Sequence, residues 1–134
     1  MAESLLIVGG GTMGAGIACA AALAGYDVEV VEPQTAARER AAQYVERQEA
    51  RSGAGGLSKQ IRWQAEVSSD SRATVAIEAV PERFEIKRDV FVALDRSLPA
   101  NALLATNTSS LSVDELADVV SNPGRVVGLH FFNP

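Results

Sequence analysis

The chain reads as an α/β protein built on a doubly wound parallel sheet, about six strands with helices on both faces. Three observations predict this. Short apolar runs alternate with helix-length segments along the whole sequence. The first apolar run is followed at once by Gly9-Gly10-Gly11-Thr12-Met13-Gly14, and the second ends on Glu32. The alternation then continues until enough strands exist for the spatial order 3-2-1-4-5-6.

Leu5 to Val8, followed by glycines, reads as a continuous apolar run and Val28 to Val31 as another, as expected of strands buried on both faces. Between them Gly14 to Ala24 carries almost only Ala, Gly, Ile, Cys and Leu. Such small side chains let a helix lie close to a sheet, and Gly25 supplies its C-terminal cap. A polar helix follows from about Thr35 to Arg51, with Ala37, Ala41, Tyr44, Val45 and Gln48 on one face, and Ser52-Gly53-Ala54-Gly55-Gly56 breaks it. Ile61 to Ala65 and Thr74 to Val80 read as the third and fourth strands. Glu82 to Ser97 reads as a helix burying Phe84, Phe91 and Leu94, with Pro81 at its first turn. Ala102 to Ala105 makes a fifth strand. Ser112 and Glu115 then form a capping box, with Leu111 able to staple to Leu116. Pro123-Gly124 closes that region, and Arg125 to Leu129 forms the sixth strand.

Composition narrows the function. Hydrophobic residues make up 47% and charged residues 22% of 134 positions, the balance of one soluble globular domain. A net charge of -5 argues against a broad nucleic-acid surface, and no membrane association is expected. Anionic ligands must therefore be held locally. The lone cysteine, Cys19, falls in a small-residue run and reads as a core residue. The opening Met1-Ala2-Glu3-Ser4 shows no basic region or cleavage site, so a cytoplasmic location is the expectation. No metal site is expected.

A Gly-x-Gly-x-x-Gly run by itself is weak, because glycine is common in loops. Here it follows a strand, opens a helix and precedes a second strand, and that context makes a Rossmann-type dinucleotide site. Gly9 permits the tight turn, Gly11 lets the backbone approach a pyrophosphate, and Gly14 lets helix and strand pack closely. Thr12 and Met13 complete the turn, whose N–H groups and helix dipole hold an anion without a basic side chain. Glu32 can accept both ribose hydroxyls, and a 2′-phosphate there would meet like charge. With no arginine before Arg38, NAD is favoured over NADP; FAD shares the fingerprint.

His130 is the only histidine and lies just past the sixth strand, at the carboxyl edge where ligands bind in such sheets. Ser109 follows the fifth strand at the same edge, so the two can converge. The surrounding segments are Ile77-Glu78-Ala79-Val80-Pro81-Glu82, Lys87, Ala105-Thr106-Asn107-Thr108-Ser109-Ser110-Leu111 and Gly128-Leu129-His130-Phe131-Phe132-Asn133-Pro134. Together they resemble the NAD-binding domain of the L-3-hydroxyacyl-CoA dehydrogenase family, over nearly the whole chain.

That resemblance implies NAD-dependent, reversible oxidation of a 3-hydroxyacyl-CoA to a 3-oxoacyl-CoA. It implies that His130 takes the hydroxyl proton, that Ser109 hydrogen-bonds the substrate oxygen against the cofactor, and that Glu82, Lys87 and Asn133 lie near the nicotinamide half of NAD. An imidazole titrating near neutrality suits reversible proton transfer, and a hydroxyl donor can steady a developing alkoxide. Without the resemblance, Glu82 and Lys87 read as an exposed pair on a helix. The family also carries a glutamate beyond the histidine, a further active-site asparagine and a helical C-terminal domain, none of them within these 134 residues. A misplacement of about 1 Å can cost on the order of a hundredfold. NAD binding is therefore expected to survive better than turnover. Two other readings remain: a catalytically silent NAD-binding module, and a dehydrogenase acting on a carrier-protein-bound hydroxyacyl group or a small hydroxy acid. The expected partners are a 3-hydroxyacyl thioester and either a second copy or a chain supplying the missing domain.

Overall fold

The computed structural model describes residues 3–53 and 55–131. In chain order its elements are β1 (Ser4–Val8), α1 (Thr12–Leu23), β2 (Asp27–Val31), α2 (Thr35–Ser52), β3 (Ile61–Gln64), β4 (Val75–Glu78), α3 (Phe84–Ser97), β5 (Leu103–Thr106), α4 (Val113–Ala117) and β6 (Val126–Gly128), with short 3-10 turns at Ser58–Gln60 and Pro123–Arg125. The strands form one parallel sheet in the order β3-β2-β1-β4-β5-β6, the expected doubly wound arrangement.

Alternation along β1 divides the core in two. Leu5 and Ile7 face a cluster with Ile17, Ala18 and Ala22 of α1 and Val45 of α2, whereas Leu6 and Val8 face Phe91 and Leu94 of α3 and Leu116 of α4. Helices thus cover both faces, because the central strands are apolar at consecutive positions. Each large side chain such as Leu6 or Phe91, fully enclosed here, contributes about 1.5–3 kcal/mol by burial. Cys19 is one of the buried core residues, and burial pushes its thiol pKa up. Among the described residues no helix is long and apolar enough to cross a membrane.

Several boundaries differ from the sequence reading, each for a local reason. α1 starts at Thr12 instead of Gly14, with Gly11 in extended conformation as its N-cap; its C-terminal glycine, Gly25, has φ of +97° and donates to the Ala22 carbonyl at 3.0 Å. α3 starts at Phe84 instead of Glu82. Pro81 lies outside it, in a tight turn where its carbonyl accepts from the Arg83 amide at 2.7 Å, and the helix ladder first engages Arg83 through the Lys87 amide. β4 ends at Glu78, where the Val80 amide turns to the Glu78 carboxylate at 2.8 Å. β3 and β6 are shorter than expected and β5 runs Leu103–Thr106. The capping box is half formed: the Ser112 hydroxyl accepts from the Glu115 amide at 3.2 Å.

The run Val28 to Val31 is not wholly apolar, for Glu29 sits within it and is 3% exposed. Its carboxylate survives there by accepting from the Ser71 hydroxyl at 2.7 Å and the Gln64 amide at 3.0 Å, with Arg62 at 3.6 Å.

Candidate functional site

The carboxyl ends of β1, β2, β4, β5 and β6 bring the expected site residues that the structure describes to one edge. The glycine turn follows β1. Gly9 has φ of +114°, and a Cβ there would stand 2.5 Å from the Ala79 carbonyl oxygen of the neighbouring strand exit. A Cβ on Gly14 would collide with the Gly9 carbonyl itself. Both positions are thus required by the protein's own backbone. Gly10 is constrained by a side chain instead, since a Cβ there would meet Glu32 at 2.9 Å. Gly11 is different: a Cβ would meet nothing within 4 Å. The space over Gly11 belongs to no protein atom.

No side chain caps the N-terminus of α1 and no acidic residue lies in its first turn, so its leading N–H groups are left to an external acceptor. Thr12 is exposed there, while Met13 packs its side chain on the core and contributes only backbone to the turn. A cavity of about 300 Å³ opens beside Gly10, Gly11 and Thr12, flanked by Tyr44 of α2. The larger cavity, of about 670 Å³, lies at the opposite edge of the sheet, by Ser4, Asp27 and Thr74. It is remote from every residue singled out by sequence.

Glu32, half-buried just past β2, folds back over the turn. One carboxylate oxygen accepts from the Gly10 amide and the other from the Gln34 amide, both at 2.9 Å. Arg38 reaches the Glu32 carbonyl at 2.8 Å, so the guanidinium is tied to backbone instead of the carboxylate. Each carboxylate oxygen keeps acceptor capacity for a ribose hydroxyl. The uncapped helix, the open face of Gly11 and this held carboxylate together fit an adenine dinucleotide.

On the other side of β1, Glu82 gathers the loop that follows β5. It accepts from the Thr108 hydroxyl at 2.8 Å, the Ser109 amide at 3.0 Å, and the Ser109 and Ser110 hydroxyls at 3.2 Å. Burial opposes its ionisation, but the Ser109 amide, the Thr108 hydroxyl and the Lys87 ammonium outweigh that and lower its pKa to about 2. Glu82 is therefore a carboxylate at any physiological pH. Lys87 is no surface lysine: it is 2% exposed and overturns the reading as an exposed helical pair. Its ammonium donates to Glu78 at 2.5 Å, to the Val80 carbonyl at 3.1 Å and to Glu82 at 3.2 Å. All three donors are thereby spent inside the protein.

Glu78 and Thr106 were not singled out by sequence. Glu78 is fully buried, and its other oxygen accepts from the Thr106 hydroxyl at 2.6 Å. The signal was available, since a carboxylate ending the apolar run Val75-Ala76-Ile77 needs a cation or several hydrogen-bond donors beside it.

Ser109 and His130 are joined through backbone. The Leu129 amide donates to the Thr106 carbonyl at 2.9 Å, and the Phe131 amide donates to the Asn107 side-chain oxygen at 2.7 Å. His130, exposed between these two ties, is therefore stitched to the loop that carries Ser109. Asn107 was another residue that sequence did not mark. Asn133 lies outside the described residues.

Comparison with known proteins agrees with this geometry. A Bacillus subtilis protein named "Probable 3-hydroxybutyryl-CoA dehydrogenase" is 34% identical over 141 residues, covering 98% of this chain and 49% of its own length. The "3-hydroxyadipyl-CoA dehydrogenase" of Escherichia coli is 37% identical over 141 residues, with 98% of this chain and 30% of that protein covered. The crystal structure of 3-hydroxybutyryl-CoA dehydrogenase from Escherichia coli superposes with a TM-score of 0.90 at 36% identity, over 100% of this chain and 30% of that one. The chain thus spans about half of the first relative and under a third of the others. Residues 4–134 match the family described as "3-hydroxyacyl-CoA dehydrogenase, NAD binding domain". The chain belongs to that family, as its NAD-binding domain, and NAD is its cofactor.

Proposed function

We propose that this chain supplies the cofactor-binding half, and two of the reacting side chains, of an enzyme that interconverts 3-hydroxyacyl-CoA and 3-oxoacyl-CoA. The observation that carries the proposal is the pair of backbone ties at Leu129 and Phe131, which set His130 beside the Ser109 loop at the edge that also bears the glycine turn. The names of the relatives support the thioester substrate, and they differ in the acyl group.

In this reading the N–H groups at the start of α1 hold the pyrophosphate, Gly11 leaves room for it, and Glu32 accepts from the adenosine ribose. Bound NAD supplies the acceptor for the hydride that an alcohol loses on becoming a ketone. This chain's own residues handle the rest. The hydroxyl proton of the substrate passes to an imidazole nitrogen of His130, which returns it in the reverse direction. Ser109 donates its hydroxyl hydrogen to the same substrate oxygen, giving up its bond to Glu82 to do so. Glu82, kept ionised, receives that hydrogen again when product leaves. Lys87 contributes by holding Glu82.

The test is a fluorescence titration of the chain with NADH, followed by turnover of acetoacetyl-CoA monitored by loss of reduced nicotinamide absorbance. Saturable NADH binding that is weakened by Gly11→Ala is the expected result, with turnover abolished by His130→Gln wherever turnover is seen. Failure of the unmutated folded chain to bind NADH would overturn the reading. Binding with no turnover, even when the remainder of a relative is supplied in trans, would favour a catalytically silent NAD module.

A further inference from the structure

Glu78 takes no part in the proposed chemistry, yet it is the most deeply enclosed acid at this edge, with no exposed surface at all. Its two oxygens serve different routes to one destination. Through Oε1 it accepts from the Thr106 hydroxyl at 2.6 Å, and that hydroxyl oxygen in turn accepts from the Thr108 amide at 3.1 Å. Through Oε2 it accepts from the Lys87 ammonium, which continues to Glu82, and Glu82 accepts from the Thr108 hydroxyl and the Ser109 amide and hydroxyl. The first route ends at the Thr108 amide, and the second at Thr108 and Ser109, so both hold the same stretch of loop. The same Oε2 also receives the Val80 amide, so the exit of β4 is held by the group that holds the loop after β5.

We propose that Glu78 is a positioning residue for Ser109, a two-armed clamp that fixes the β5–α4 loop through Thr106 on one side and through Lys87 and Glu82 on the other. The inference rests on the functional reading above for the importance of Ser109, but the clamp itself is a statement about the loop. A carboxylate suits the position because both of its oxygens accept, from the Lys87 ammonium, the Val80 amide and the Thr106 hydroxyl; an amide in its place presents one acceptor oxygen, so an arm is either lost or must reverse its donor and acceptor. The arrangement also explains why a lysine with all its donors turned inward sits at the edge of a cofactor site. Its target is Glu82, and through Glu82 the serine.

The alternative is that Glu78 merely neutralises a buried lysine. The two accounts separate in a double variant. Amide hydrogen exchange, read residue by residue by NMR, would be compared in the wild-type chain, Glu78→Gln and Glu78→Gln/Lys87→Met. The double variant carries no unmatched buried charge and keeps the measurement possible if the single variant does not fold. The clamp predicts that exchange at Ser109 and Ser110 accelerates by at least about tenfold in both variants, the loss expected for one charge-assisted bond, while Leu6 and Val30 stay protected. It also predicts that the Ser109 amide proton, which donates to a carboxylate in the wild type, shifts upfield. Ser109 exchange and shift restored to wild-type values in the double variant would overturn the proposal. NADH titration of the wild-type chain keeps the two claims apart: loss of loop protection without any NADH binding would confirm the clamp and refute the catalytic assignment of Ser109.

Discussion

Glu82→Gln gives the sharpest test of how the edge is held, because the structure fixes both the size and the pH window of the effect. The wild-type carboxyl falls from 4.5 to about 2 in the folded chain, although burial pushes the other way. At about 1.36 kcal/mol per unit this would amount to about 3.4 kcal/mol. The side chain is 37% exposed, however, and screening by solvent reduces the net contribution to about 1 kcal/mol. The sign follows from a depressed folded pKa. The stabilisation is fully present above pH 4.5, where the unfolded carboxyl is also ionised, and is lost as pH falls through about 2. Glutamine cannot ionise, so the variant lacks this contribution at every pH. Urea denaturation of both proteins at about pH 7 should show wild type ahead by about 1 kcal/mol, and the gap should shrink towards zero near pH 2.5. Other carboxylates also have lowered pKa values, Asp95 beside Arg125 and Glu49 beside Ser58 among them, but they titrate identically in both proteins. A gap that is absent at neutral pH, or unchanged in acid, would refute the account of Glu82 as an ionised acceptor.

Three further outcomes follow from the geometry. Gly14→Ala drives a Cβ into the Gly9 carbonyl and should destabilise the chain by about 1–3 kcal/mol, whereas Gly11→Ala, with nothing within 4 Å, should leave the urea midpoint unchanged while weakening NADH binding. Arg125 is 6% exposed, pairs with Asp95 at 2.7 Å and donates to the Pro99 and Ala102 carbonyls, so Arg125→Met should cost about 3 kcal/mol in urea denaturation. Asn107→Ala removes the acceptor of the Phe131 amide and should speed exchange of that amide by about tenfold without touching β1 or β2; equal exchange would remove the tie on which the placement of His130 depends.

Sequence reasoning reached the sheet order and the glycine turn because both are written in local patterns: apolar runs of strand length, and glycines where the backbone admits no Cβ. It placed Gly9 and Gly14 correctly for that reason. The start of α3 escaped it. Pro81 and Glu82 satisfy every rule for a helix N-terminus, but Glu82 is drawn to the loop after β5, some twenty-seven positions away, and that attraction has no local signature. The competing reading of Lys87 as one of an exposed pair fails for the same cause, since only the paired strand exits show that Glu78 waits beneath it. Asn107 lay in plain view within a recognised motif, yet its partner is a backbone amide, which carries no mark in sequence.

The position of the two acids explains how a chain of net charge -5 is suited to a dinucleotide. In the order β3-β2-β1-β4-β5-β6, the glycine turn follows the central β1, Glu32 follows β2 on one side, and Glu82 lies past β4 on the other. Neither carboxylate offers itself to a phosphate. Glu32 is pinned by the Gly10 and Gln34 amides, and Glu82 by Lys87 and the Ser109 loop. Both carboxylates are thus engaged by hydrogen bonds already made, Glu32 on the turn itself and Glu82 on the far side of β1, and the uncapped start of α1 is left open to an external acceptor. A lysine added at that turn would strengthen anion binding in general. In the proposed site the backbone would select for shape instead, since only a group that fits over Gly11 could collect the N–H donors, and the buried Lys87 would be spent on the Glu82 that holds the Ser109 loop.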